Sequence, residues 1–431
     1  MKKLKSTLAL AAFAAVSMLT LNSCSDAEKV PHFSSGKIPT TVKANLNLKG
    51  VKGAHLFVLD DYNFEQMVED RTGQALYPAG CSQARKGNFV SRNLDWYQLD
   101  ESVYMVSVPT TGKHLGSLTV GALNSNYTHD SDMSQLTNQE ANLLMAYATD
   151  GMNTAGVYIG VNVCPYDEMK ESSATGAIDY QAPAGSVNAD KPQLTLNFLC
   201  RLVLDNAKSM QDVKDIIQGT NWKDVESMTG AGFQLHWLIA TKDASCVCEF
   251  IDGKPVFIDA ENLSSPGYGT IMTNFSNYLN AKGVIQSHGA GYERFETLKS
   301  AYDKAEGLEG AKDLCRAVYY SRAYSESMDS QDFFWTEWCS NDIPSTKLRE
   351  WKENPEARTG DQWELFRQQY DSAVKKYDWR VLGYDHYGND FRGSWYTTHS
   401  SVWNLAEKNL TLDIEEQNKF AITVTLDGQV K

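Results

Sequence analysis

The sequence predicts a mixed α+β chain, and three observations carry that expectation. Residues 80–96 (GCSQARKGNFVSRNLDW) read as one tight β-hairpin, because Lys86-Gly87 stands between two short runs and a Gly so placed is a turn signal. Residues 233–259 alternate as two or three strands, with Asp252-Gly253 in a favoured hairpin turn. Between and after these lie stretches with helical periodicity: Leu194–Asp205, Tyr292–Lys304 and Ala311–Tyr324.

Taken in order, the chain starts with Lys2, Lys3 and Lys5 ahead of an apolar run from Leu8 to Leu21. That run is too short and wrongly flanked for a spanning helix but suits a secretory signal, so residues 1–23 are expected to direct export. Leu21-Asn22-Ser23-Cys24 is similar to a bacterial lipobox, which would make Cys24 the acylated first residue of a precursor held to a membrane. Residues 24–80 are expected to be a tether, polar over 25–45, and then a pro-segment with recovered apolar character from Val51 to Leu76. After the hairpin, SVYMVSVP and SLTVGALNS read as strands, Leu136–Tyr147 as a helix, Asp150–Asn153 as a turn and VYIGVNV as a strand. Ser209 with Asp212 is a capping box opening a second helix beside Leu194–Asp205. Residues 329–380, rich in Trp, Tyr and charge, read as an insertion, and THSSVWNLAEKNLTLDI as a final strand, turn and strand.

A net charge of −14 argues against a nucleic-acid partner, which needs a basic face, and leaves any acidic ligand to local arginines. Seven cysteines follow Cys24, an odd number, so at least one thiol stays free in an exported chain. Cys246-x-Cys248 alternates with apolar residues and lacks a matching His or second Cys pair, so it reads as core packing. No metal and no cofactor are expected; there is no HExxH, no phosphate-cradling Gly loop and no internal repeat.

The hairpin brings Cys81, Arg92 and Asp95 together. A thiol needs a nearby cation to become the reactive thiolate, and Arg92 can supply it. By itself this also fits a small buried Cys beside a surface ion pair. His236, on an alternating strand, reads as a satisfied core residue.

Cys81 followed by a hairpin and Arg92-Asn93-Leu94-Asp95 resembles the start of the mature chain in the choloylglycine hydrolase family. Asp150-Gly151-Met152-Asn153 leading to Asn162, Leu235-His236-Trp237, Thr273-Asn274 and Arg294-Phe295 resemble the family in the same order, across most of residues 81–415. Two departures stand out: Ser276 where a proline is usual, and a Cys81-to-Arg92 spacing shorter than usual. The resemblance implies an α+β, four-layer αββα sandwich of two antiparallel sheets over residues 81–431. It also implies that the α-amino group of Cys81, freed by breaking Gly80–Cys81, is the base. Arg92 would tune the thiol, Asp95 would hold the amine, and Asn274 with the backbone N–H of Asn162 would stabilise the oxyanion. Arg294 would lie in the site.

The implied reaction is hydrolysis of a linear amide, with a small N-acyl amide as substrate. Asn162, where penicillin V acylases tend to have Tyr, leans toward glycine- or taurine-conjugated bile salts. Penicillin V, N-acyl homoserine lactones and N-acyl amino acids remain alternatives. The implied location is the periplasm or outer membrane of a Gram-negative bacterium, and the sequence leaves room for a homo-oligomer. Two other classes compete: a papain-like protease pairing Cys81 or another Cys with His399 or His236, whose flanking signature is missing, and a ligand-binding surface lipoprotein using the aromatic-rich C-terminal third.

Overall fold

The computed structural model describes residues 42–48, 54–64, 67–68, 80–96, 103–122, 144–145, 148–164, 193–223, 235–251, 254–283, 291–319, 350, 354–364, 396–414 and 419–431. The leader, Cys24 and all of 329–380 except 350 and 354–364 lie outside them. In the first half, alternating and β-branched stretches form strands β1 (Val42–Asn47), β2 (Ala54–Leu59), β3 (Gly80–Lys86), β4 (Phe89–Trp96), β5 (Val103–Val108), β6 (Ser117–Ala122), β7 (Asp150–Asn153) and β8 (Tyr158–Val163). A short parallel pair, β9 (Gln193–Thr195) with β10 (Asn221–Lys223), follows. Then come β11 (Leu235–Ala240), β12 (Ser245–Ile251), β13 (Lys254–Asp259), β14 (Ile271–Met272), β15 (Tyr396–Asn404), β16 (Asn409–Ile414) and β17 (Ile422–Thr425).

Hydrogen bonding joins these into a nine-stranded sheet, ordered β1-β2-β5-β6-β7-β8-β11-β12-β13, and a six-stranded sheet, ordered β14-β3-β4-β15-β16-β17. Helices α1 (Leu199–Asn206) and α2 (Met210–Gly219) set Leu199, Val203, Val213 and Ile217 on the larger sheet against Ile159, Trp237 and Ile239. Across the middle, Leu56, Met105, Val120 and Leu238 meet Val90, Trp403 and Leu412 of the smaller sheet. After a short helix α3 (Asn277–Ala281), α4 (Tyr292–Tyr302) and α5 (Gly307–Ala317) cover the outer face of the smaller sheet, with Phe295, Leu298 and Leu314 on Ala84 and Ile271. Period-2 strands expose two apolar faces, and each must be covered. The result is four layers, helix, sheet, sheet, helix, as the resemblance implies.

Both sheets are antiparallel but for one joint: β2 runs parallel to β5, pairing Ala54 with Val103 through Val58 with Ser107. Parallel neighbours require a crossover, and here the chain between them leaves the larger sheet to make the β3–β4 hairpin of the smaller one. The stretch read as tether and pro-segment therefore contributes β1 and β2 to the nine-stranded sheet.

Several elements differ in detail from the sequence reading. Asp150–Asn153 is the strand β7, paired with both β6 and β8, and the turn comes after it, where Gly156 N bonds Asn153 O at 2.9 Å. Residues 193–198 form a strand and one 3-10 turn before α1 begins at Leu199, and α5 spans Gly307–Ala317 rather than 311–324. Of the helix expected at 136–147 only Leu144 and Met145 are described, and both are helical. Ser209 caps α2 as expected, its Oγ accepting from Asp212 N at 3.1 Å, while the Asp212 carboxylate reaches back to Lys208 N at 3.0 Å.

Candidate active site

The hairpin comes first, because its turn fixes which side chains share a face. Lys86 pairs with Phe89, leaving Gly87 and Asn88 as the two loop residues, and Gly87 takes φ +58°, which Gly adopts without a Cβ clash. From that register Cys81 opposes Leu94 and Gln83 opposes Arg92, so Arg92 is the diagonal neighbour of Cys81 on the face turned to the other sheet. Arg92 Nη2 lies 3.9 Å from Cys81 Sγ.

Arg92 is fully buried, and a buried guanidinium needs its charge and its donors matched. Nη1 donates to Asp150 Oδ1 at 3.0 Å and Thr149 Oγ1 at 3.1 Å, and Nη2 to Val161 O at 3.0 Å. Asp150 accepts in turn from Ser401 Oγ and Trp403 Nε1, both at 2.7 Å. Burial works against the charged guanidinium, but Asp150 together with Cys81, Tyr158 and Cys200 outweighs it and holds the Arg92 pKa above its ordinary value. The thiol of Cys81 moves the other way from the simple expectation: burial pushes it up to about 11, and Arg92 offsets only part of that. In the unbroken chain Cys81 is thus a thiol at neutral pH, and deprotonation needs a further base.

The second arm centres on Arg294 at the start of α4. Its Nη1 donates to Asp95 Oδ2 at 2.8 Å and its Nη2 to Asn274 Oδ1 at 2.7 Å. Asp95 Oδ1 accepts from Thr397 Oγ1 at 2.8 Å. Asn274 Oδ1 also accepts from the backbone N–H of Cys81 at 2.9 Å, and Asn274 Nδ2 donates to Val163 O at 2.7 Å. In the unbroken chain the Cys81 amide N–H is thus held by Asn274 Oδ1, whereas the part expected of Asp95 concerns the α-amine that cleavage would free. Asn162 Oδ1 accepts from Gln83 Nε2 at 2.8 Å and its Nδ2 donates to Thr273 O at 2.9 Å, tying β8 to the segment carrying Asn274. Gly160 makes room for this: a Cβ there would collide with Tyr158 Oη and Gln83 Oε1.

The six residues singled out in the sequence converge, all of them buried: Cys81, Arg92, Asp95, Asn162, Asn274 and Arg294. Sequence reasoning missed Asp150, Thr149, Gln83 and Thr397. One signal for Asp150 existed, since an Arg on a strand facing an interior demands a counter-ion, and Asp150 stood in a segment already singled out.

His236 is a satisfied core residue, with Nε2 2.8 Å from Thr273 O and Nδ1 3.4 Å from Glu249 Oε1. Ser276, where proline is usual, is the N-cap of α3 and donates to Glu249 Oε2 at 2.5 Å. His399 is wholly buried, both ring nitrogens lack a hydrogen-bond partner among the described residues, and burial pulls its pKa down to about 3. No His among the described residues bonds Cys81. Cys246 and Cys248 are buried in β12, and no disulfide joins the described cysteines. Among the described residues no three His, Cys, Asp or Glu side chains gather as a metal ion would need. No described helix is long and apolar enough to cross a membrane.

Residues 81–332 match the model of the choloylglycine hydrolase family of linear amide C–N hydrolases, and the match begins at Cys81 itself. No curated protein sequence matches significantly. Among solved structures, a variant of the conjugated bile acid hydrolase from Clostridium perfringens is 13% identical, with 81% of this chain and 95% of that one covered and a TM-score of 0.43. A second variant of that enzyme is 16% identical, covering 82% and 95%, with a TM-score of 0.36. Penicillin V acylase from Agrobacterium tumefaciens is 16% identical over 78% of this chain and 82% of that one, with a TM-score of 0.39.

Proposed function

We propose, from the premise that this chain belongs to the choloylglycine hydrolase family of linear amide C–N hydrolases, that Cys81 is its nucleophile and a glycine- or taurine-conjugated bile salt its substrate. The observation that carries the nucleophile is the double hold on Cys81: a guanidinium 3.9 Å from Sγ and an amide oxygen 2.9 Å from N. Thiol attack on the carbonyl carbon of Gly80 moves the acyl group from nitrogen to sulfur. Water then hydrolyses that thioester, leaving a Gly80 carboxylate and Cys81 with a free α-amine. An α-amine has an ordinary pKa of about 7.7–8.0, so a useful neutral fraction exists near pH 7 to take the thiol proton.

With substrate, Sγ attacks the amide carbonyl, the α-ammonium returns its proton to the leaving amine, and water releases the acid from the thioester. Arg92 favours the thiolate over the thiol. Asn274 holds the α-amine through Oδ1 and, with the backbone N–H of Asn162, is assigned to the oxyanion. Asp95 and Arg294 fix Asn274. The bile-salt reading is supported by Asn162 in place of Tyr. Release of taurine or glycine from conjugated bile salts by wild type, with no release by Cys81→Ala, is the expected result. Full activity in the Ala variant would remove Cys81 as nucleophile, and turnover of penicillin V or an N-acyl homoserine lactone alone would transfer the substrate to those amides.

The membrane enters this reading only through the leader and Cys24. The precursor is exported and acylated at Cys24, in the periplasm or outer membrane of a Gram-negative cell. Fatty-acid labelling of wild type and its loss in Cys24→Ala are expected; equal labelling of both would overturn the anchor.

A further inference from the structure

We infer that the segment ahead of Cys81 stays in place after the Gly80–Cys81 bond breaks, so that the mature enzyme is two non-covalently joined chains, the smaller supplying β1 and β2. This rests on the cleavage proposed above. The segment is built into the interior rather than laid on it. β2 pairs with β5 on one side and β1 on the other, so its loss would leave β5 as an open sheet edge. Both faces of β2 are covered: Leu56 lies in the core between the sheets, and Phe57 and Leu59 lie in the core beneath α1 and α2.

Beyond β2 the chain enters a polar network that the rest of the protein leaves open for it. The Tyr62 hydroxyl donates to the carboxylate of Asp205. Asp205 also holds Arg201 through Nε at 2.9 Å, and Arg201 Nη2 donates to Ser117 Oγ at 2.8 Å. The Arg201 guanidinium lies 5.4 Å from the centre of the Tyr62 ring. Asp61 takes His114 Nε2 at 3.0 Å and Lys113 Nζ at 3.6 Å. Arg201 and Asp205 are buried, so withdrawing Tyr62 would strip a partner from a desolvated ion pair as well as bare Phe57, Leu59, Phe64 and Met67. Gly80, by contrast, joins the smaller sheet as the first residue of β3, opposite Asp95. The bond that breaks and the contacts that hold are thus in different sheets.

The test uses the full chain in two forms. In the first, wild type is matured and examined by denaturing mass analysis and by native size exclusion. In the second, Cys81→Ala carries a site for a specific protease between residues 69 and 79 and is cut in vitro, which makes retention independent of natural cleavage. Retention predicts that both pieces co-elute one to one without denaturant and separate in urea. Tyr62→Phe should lower the urea concentration at which they part, and Phe57→Asp should release the smaller piece in buffer. A small piece that elutes alone while 81–431 remains folded would overturn the inference. An uncut wild type whose protease-cut counterpart stays together would uphold retention and remove the natural cleavage instead.

Discussion

Arg92 Nη1 and Asp150 Oδ1 lie 3.0 Å apart with neither side chain exposed to solvent. A buried pair of this kind is not a large net source of stability, but breaking it by removing one charge leaves the other uncompensated. Asp150→Asn is therefore expected to lower stability by about 3–5 kcal/mol, read as the midpoint of urea unfolding. A midpoint unchanged from wild type would mean that Arg92 finds its compensation elsewhere.

Arg92→Lys keeps the charge and loses the fork. The guanidinium reaches Asp150, Thr149, the Val161 carbonyl and the Cys81 sulfur from one planar group, whereas an ammonium is a point charge. Amide hydrolysis should fall at least about tenfold, the equivalent of one lost hydrogen bond to a charged group. In the uncleaved protein the pH at which Cys81 becomes alkylatable should rise. An unchanged alkylation profile would count against Arg92 as the group that tunes the thiol.

Asn274→Ala removes the acceptor from the Cys81 nitrogen and an amide donor from the site together. Loss of one oxyanion donor costs about 10²–10³ in kcat, and the mature N-terminus at Cys81 should also appear more slowly. Normal kcat with slow maturation would restrict Asn274 to positioning the nitrogen. Normal values of both would remove it from the site.

His399 sets a pH dependence of stability that owes nothing to catalysis. Burial holds its folded-state pKa down at about 3, below the ordinary 6.5 that the unfolded chain retains. Between those values the unfolded state binds more protons, so stability is full above about pH 6.5 and falls as the pH drops toward 3, by at most about 1.4 kcal/mol per pH unit. His399→Leu should remove that slope, and the difference between wild type and variant in urea titrations at pH 7.5 and pH 5 measures it. A difference independent of pH would refute the assignment.

Much of the site was legible because it is local. Cys81, Arg92 and Asp95 lie on one hairpin, and its turn residues fix a register that can be read from the sequence alone. What escaped was long-range. Asp150 looked like part of an ordinary turn motif, and nothing within its own segment says that it neutralises a charge 58 residues earlier. The parallel pairing of β2 with β5 was equally silent, since a parallel partner leaves no turn between the strands to mark it. The early start of α5 was hidden because Leu308 in its first turn is 37% exposed, so the apolar period begins only at Ala311.

Gly428, near the last residue, packs against Val58 and Ser107, and the Ser107 hydroxyl donates to Leu426 O at 2.6 Å. Val58 belongs to one of the first strands made and Leu426 to the last few residues. The corner beside β2 and β5 therefore cannot close until residues 426–428 have been made. Removing residues 426–428 would fall on the same corner as damage to β2. The β2–β5 edge and the segment after β17 are one address for folding failure.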